Sequence, residues 1–246
     1  MPESSTALVR LTPASVHAEQ WCGRLDRTPL VQPSEAVAVR RGQVLLAVVA
    51  HPEDETLAMG GTLASLAAEG VEVHVLCLTS GEAVLDHVGE HLPHLADRRR
   101  QELRDAIAAL GLAGCTVLGL PDGRLGEHAA DAEAAVRTAV RRLDPAAVAT
   151  LWHDDPHPDH RAASAAASTA CVDLAVTEFL LWAVHWTDPA DVIDDVAPVR
   201  LDTQAQDARS AAMARYRSQV DPLLPHLEAV LPPSVVGWPH ECVVLR

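Results

Sequence analysis

Lysine is absent from the 246 residues, so every one of the 19 basic positions is arginine. That absence removes Schiff-base and lysine-nucleophile chemistry from the mechanisms open to the chain. Positive charge is scarce in general: 34 acidic residues leave a formal net charge of −15. Phosphate backbones are neutralised by a basic face, and this balance argues against nucleic acid as a partner. Aromatic residues make up only 3% of the chain against 48% hydrophobic residues overall, so the core is expected to be built from Ala, Val and Leu. The five cysteines (Cys22, Cys77, Cys115, Cys171, Cys242) are widely spaced and form no CxxC pair, which excludes a cysteine-based structural metal site and predicts free thiols. Long apolar runs are missing too: the longest, Val44–Ala50, is too short to cross a bilayer. The opening MPESSTALVR has neither the basic start nor the apolar run of a secretory signal, so a cytoplasmic protein without a membrane partner is expected. Nor is there a GxSxG elbow or a GxGxxG loop after the first strand, which leaves serine hydrolysis without a nucleophile and dinucleotide binding without its phosphate cradle.

What is present is a regular alternation. Residues 1–42 lack clear periodicity, contain Pro2, Pro13, Pro29 and Pro33, and are expected to form an extension packed on a single domain spanning 43–246. From Gln43 onward, short β-branched runs alternate with Ala/Leu-rich segments of helical period, the pattern of βαβ units around a parallel sheet. Strands are predicted at 43–50, 71–80, 115–120, 146–152, 178–186 and 241–246. Helices are predicted at 56–69, 95–110, 130–143, 159–174 and 203–219, with Gly70, Gly111 and Asp144-Pro145 as stops. The fold class is therefore α/β, a Rossmann-like three-layer sandwich with a mostly parallel sheet.

Two histidine/carboxylate clusters fall directly after predicted strands, where open α/β sheets bind ligands. The first is AHPEDE at 50–55; the second is HDDPHPDH at 153–160, with three His and three Asp in eight residues. A catalytic zinc needs about three nitrogen or oxygen ligands and an open position for water, and His51, Asp54 and His160 supply a suitable set from two turns. Glu53, between two of these ligands, can serve as the base that activates water. His157, one turn before His160, can donate to an oxyanion and protonate a leaving amine. Taken alone, HPED also reads as a polar turn whose carboxylates favour a helix start; the alternative for the second cluster is a solvated surface loop, a costly one with so many His, Asp and Pro residues. The other histidines carry no assigned role.

The two turns resemble the motifs of the LmbE-like or PIG-L family of zinc-dependent N-deacetylases, an AHPDDE turn after the first strand and a distal HPDH turn. Further similar segments follow in the family's order: TSGEA at 79–83, RRQEL at 99–103, LGLPDGRL at 118–125, PHPDHRAA at 156–163 and YRSQ at 216–219. The resemblance implies that His51, Asp54 and His160 bind one zinc ion per chain, other divalent metals being able to use the same donors. It implies Glu53 as general base, His157 as electrostatic or acid catalyst with Asp159 tuning it, and Arg99 and Asp122 as contacts to substrate hydroxyls. Beside that implication, Arg99 can also pair with Glu102 or Asp97 along a helix, and Asp122 is a favoured turn residue before Gly123.

One departure matters. The family's base is usually Asp, and Glu53 extends its carboxylate by about 1.5 Å, one carbon–carbon bond. The activity implied is removal of an N-acyl group, acetyl first, from a small substrate such as an N-acetylglucosamine-containing glycoside or conjugate. Two alternatives stand beside it: an amidase for a larger conjugate or longer acyl chain, and a metal-binding accessory protein whose catalysis is weakened by Glu53. Assembly into a homo-oligomer is left open by the sequence.

Overall fold

The computed structural model describes residues 15–192 and 195–245. Part of the amino-terminal extension (1–14) and the final residue of the last predicted strand lie outside the described residues. Among the described residues, seven strands form one sheet: β1 Val44–Val49, β2 Glu72–Thr79, β3 Gly114–Leu120, β4 Ala147–Leu151, β5 Ala175–Leu180, β6 Val196–Pro198 and β7 Cys242–Val244, in the order β3-β2-β1-β4-β5-β7-β6. β1 to β5 are parallel, and β7 runs antiparallel to both β5 and β6. The accompanying helices are α1 Ala18–Leu25, α2 Pro33–Val37, α3 Asp54–Ala68, α4 Leu95–Ala109, α5 Ala129–Leu143, α6 Pro158–Ala170, α7 Ala183–Trp186, α8 Thr203–Met213, α9 Arg217–Val220 and α10 Pro233–Val236. α8 packs against both α3 and α4, while α5 packs against α6, giving a helical layer on each face of the sheet.

The expected α/β sandwich is therefore what the chain forms. β1 is apolar along its length because both its faces are covered; five of its six residues are buried. It is also the strand from which the chain winds both ways, with β2 on one side and β4 on the other. That reversal makes the carboxyl ends of β1 and β4 the switch point, and both His/carboxylate turns begin there.

Two expectations need correcting. The run predicted as a strand at 178–186 leaves the sheet after Leu180, because β7 pairs only with Phe179 and Leu180 and β4 ends opposite Phe179. Beyond that point the Trp182 amide donates to Asp155 Oδ2 at 2.9 Å, and the chain turns into α7. The helix predicted at 203–219 breaks after Met213 and resumes as α9, since Tyr216 and Ser218 turn inward to buried carboxylates. Between α7 and α8 lies a short edge strand, β6, of a length at which periodicity is invisible. Within the extension, two helices form and bury Trp21, Leu25 and Val37 completely or nearly so.

Candidate metal and catalytic site

The first turn is built by its own side chains. Asp54 Oδ2 accepts from the His51 amide at 2.8 Å, which folds His51-Pro52-Glu53-Asp54 back on itself and puts Asp54 in the first turn of α3. Glu53 sits at the corner with φ 99°, a region that side-chain-bearing residues rarely occupy and that costs on the order of 1–3 kcal/mol. The second turn, after β4, is held by Asp155: Oδ1 accepts from the His157 amide at 2.9 Å, and Oδ2 from Trp182. His157 caps α6, its Nδ1 accepting from the Asp159 amide at 3.2 Å. An accepting Nδ1 places the proton of a neutral His157 on Nε2.

The two turns meet. Asp54 lies between the imidazoles, with Oδ2 3.3 Å from His51 Nδ1 and Oδ1 3.3 Å from His160 Nε2. The His51 and His160 rings are 5.5 Å apart, and His157 stacks on His160 at 4.7 Å. One ring nitrogen from each of His51, His157 and His160 lies within 4.8 Å of the others, as do ligand atoms of His51, Asp122 and Asp159. Thus Asp54 bridges His51 and His160, residues 109 positions apart in sequence. Asp122 and His157 line the same cavity of about 290 Å³.

Electrostatics favours a cation at that point. Burial opposes charge on His160, yet Asp54 and Asp155 outweigh it and raise the imidazole to about 9. His51 is likewise raised despite burial, by Asp54, Asp122 and Asp159. Against burial, His160 and His51 hold Asp54 well below the usual carboxylate range, and His51 with Arg99 does the same for Asp122. Burial and the two neighbouring imidazoles lower His157 to about 3. Burial raises Glu53 to about 7, with Arg99 pulling against it. Carboxylates that draw protons onto two buried imidazoles are the same groups that would neutralise a divalent ion. His160 shows the fit most plainly: it is 0% exposed, its Nδ1 faces the Asp155 carboxylate, and its Nε2 makes no well-formed hydrogen bond. With Asp155 Oδ1 3.1 Å from Nδ1, Nε2 is the nitrogen left to face an ion beside Asp54.

Two sequence expectations take a different form in space. The Asp159 carboxylate turns from His157 to His51 Nε2 at 3.3 Å and accepts from the Gly123 and Leu125 amides at 2.8 and 3.1 Å, tying the PDG loop to the site. Arg99 pairs with neither Glu102 nor Asp97, which are taken by Arg98 and Arg100; its Nη2 donates to Glu53 Oε2 at 2.5 Å. Asp122 is more than a turn former, since Oδ1 lies 3.1 Å from His51 Nε2 and Oδ2 accepts from the Ala83 amide at 2.8 Å. Sequence reasoning missed Asp155, which spacing cannot distinguish from exposed Asp154. It also missed Trp182 and Trp186, which stack at 4.2 Å and wall the cavity, and Gln219. The rule that a ligating histidine engages a carboxylate through its other nitrogen was the available signal for Asp155.

A doubly wound sheet whose switch point carries a buried His/Asp group able to hold a metal ion defines the class. Residues 46–171 match the family model described as PIG-L, GlcNAc-PI de-N-acetylase, and the chain belongs to that family of amide hydrolases. Among similar proteins, a probable N-acetyl-alpha-D-glucosaminyl L-malate deacetylase 2 of Bacillus cereus is 29% identical over 191 residues, covering 73% of this chain and 85% of its own. A 1D-myo-inositol 2-acetamido-2-deoxy-alpha-D-glucopyranoside deacetylase of Rhodococcus opacus is 35% identical over 161 residues. The chain spans about half of that relative, 54%, with 54% of its own length matched. The crystal structure of the conserved protein TT1542 from Thermus thermophilus superimposes with a TM-score of 0.56 at 29% identity, covering 73% of this chain and 80% of that one. No helix among the described residues is long and apolar enough to cross a membrane.

Proposed function

We propose that the chain is a zinc-dependent N-deacetylase acting on a small N-acetylglucosamine-type glycoside or conjugate. The observation that carries this reading is the convergence of His51, Asp54 and His160, with His160 wholly buried and its Nε2, beside Asp54, making no well-formed hydrogen bond. His51, Asp54 and His160 would hold one zinc ion, which supplies Lewis acidity toward water and the amide carbonyl. Asp155 orients His160 through Nδ1, and Asp159 with Asp122 orients His51 through Nε2. Glu53 takes the proton of the attacking water, in a buried setting that brings its carboxyl near neutrality. His157, neutral with its proton on Nε2, donates to the oxygen that gains charge as the carbonyl carbon becomes tetrahedral. The proton taken from water passes to the departing nitrogen, and the products are a free amine and acetate.

The stacked Trp182 and Trp186, with Val230 and Leu231, give the cavity apolar lining beside its carboxylates, a lining suited to one face of a sugar ring. Acetate release from a panel of N-acyl amino sugars, with the enzyme stripped by a chelator and then reloaded with zinc, tests the reading. Turnover should vanish on chelation and return with zinc. In Glu53→Gln it should fall by at least ~100-fold, the scale of general base catalysis, with metal content unchanged. Parent-like turnover in Glu53→Gln would remove Glu53 from the mechanism. The Arg99 contact on Glu53 favours a second reading, a metal-retaining accessory protein of weak activity. A fully zinc-loaded chain that cleaves none of the panel would favour it.

A further inference from the structure

The YRSQ segment at 216–219 resembles a family motif, yet nothing in the chemistry above uses it. In space it lies behind Glu53, and each of its buried polar groups has a partner. The Tyr216 hydroxyl donates to Glu55 Oε1 at 2.5 Å, and Glu55 Oε2 in turn accepts from the Glu53 amide at 3.3 Å. The Ser218 amide and hydroxyl donate to Glu102 Oε1 and Oε2 at 2.9 and 2.5 Å, fixing the segment to α4, the helix that carries Arg99. The Gln219 amide, oriented so that its oxygen faces the guanidinium, accepts from Arg99 Nη2 at 2.8 Å and Nε at 2.9 Å. Arg99 also donates to the Gly81 and Pro52 carbonyls and closes on Glu53 Oε2. Tyr216, Ser218, Gln219, Glu55 and Arg99 are all buried.

From these contacts we propose that Gln219 and Arg99, backed by Tyr216 and Glu55, are positioning residues that set where the Glu53 carboxylate lies. The two arms act on different parts of Glu53. Tyr216 and Glu55 hold its backbone at a strained φ of 99°, and Gln219 and Arg99 draw back its side chain. The second arm answers the length problem. A glutamate reaches about 1.5 Å farther than an aspartate, and a guanidinium anchored on three protein acceptors is rigid enough to place that longer carboxylate. Arg99 in this arrangement acts through Glu53 rather than on substrate. The break between α8 and α9 follows from the same need, since in an unbroken helix Tyr216 and Ser218, two residues apart, would point to nearly opposite faces.

This inference rests on Glu53 being the base, so its test reads Glu53 in two ways. Gln219→Met keeps the volume and removes the acceptor. In the zinc-loaded enzyme it should lower kcat ~10–100-fold, as misplacement by about 1 Å can, while KM and zinc content stay at the parent's values. A residue that merely supports the fold would move KM, metal content and melting temperature together. In the Glu53→Asp background, where the shorter carboxylate no longer reaches Arg99, Gln219→Met should change kcat less than twofold, and equal effects in both backgrounds would overturn the proposal. A crystal structure of Gln219→Met reads the same point without activity. The Glu53 carboxylate should leave Arg99 while His51, Asp54 and His160 stay in place. If Glu53 keeps its Arg99 contact there, the proposal fails whether or not the chain cleaves sugar amides.

Discussion

Single carboxylates do most of the organising here, and Asp155 is the clearest case. Fully buried, it bonds the His157 amide and the Trp182 amide and lies 3.1 Å from His160 Nδ1. Replacement by asparagine retains the shape but removes the charge that orients and strengthens His160 as a ligand. Asp155→Asn should therefore weaken zinc binding by ~10–100-fold, the usual cost of losing a ligand's outer partner, as measured by competition with a chromophoric chelator. Unchanged affinity would mean that His160 needs no such partner. That His51, Asp54 and His160 would come together was legible in the sequence because HPED and HPDH are turns that follow strands at the switch point. Asp155 and Gln219 were not, because their roles depend on burial and on which of several neighbouring polar residues turns inward. Arg99 shows the limit most sharply: three consecutive arginines face three different partners, and only packing decides that the middle one meets Glu53.

Strands and long helices followed directly from periodicity, since continuous apolar runs and Ala/Leu stripes of 15 residues are strong local signals. What escaped were short elements, α7 and α9 beside the site and β6 at the edge of the sheet, whose form is set by tertiary hydrogen bonds. One connection behind the site explains a glycine. Gly81, at φ 64°, ends the turn after β2, and a Cβ there would overlap the Arg99 guanidinium. Gly81→Ala should lower stability by about 1–3 kcal/mol from backbone strain and displacement, seen as a drop of several degrees in melting temperature, and should reduce kcat as Arg99 is pushed aside. A parent-like melting curve would place Arg99 elsewhere in solution. At the opposite wall, Trp186→Ala removes half of the stacked pair. Loss of about 1–2 kcal/mol of apolar contact should raise KM for an amino-sugar substrate ~5–30-fold with a smaller effect on kcat, and an unchanged KM would take the wall out of substrate binding.

Across the whole molecule, His185 joins segments from both ends of the chain. It is 1% exposed at the end of α7; its Nδ1 lies 2.7 Å from Ser15 Oγ, its carbonyl accepts from the Val16 amide, and its ring meets Trp182 and Trp238 at 5.8 and 5.5 Å. The charged groups that bear on it are Asp155, which favours its protonation, and Arg209 of α8, which opposes it; burial, with Arg209, outweighs Asp155 and lowers the imidazole to about 4. An unfolded histidine titrates near 6.5. Between those values the unfolded chain binds a proton that the folded chain refuses, so the stability held by neutral His185 is present above pH ~6.5 and is lost as pH falls toward 4. The full loss is roughly 3 kcal/mol, from about 1.4 kcal/mol for each unit of displacement. His185→Gln keeps a polar partner for Ser15 and removes the titration. Denaturant unfolding at pH 7.5 and pH 4.5 should therefore show the parent losing about 2–3 kcal/mol more than the variant over that span. Site carboxylates that also weaken in acid contribute to both proteins and cancel in the difference. Parallel losses in the two would show that His185 takes up its proton in the folded state as readily as in water, and would open the junction of Ser15, α7 and Trp238 to solvent.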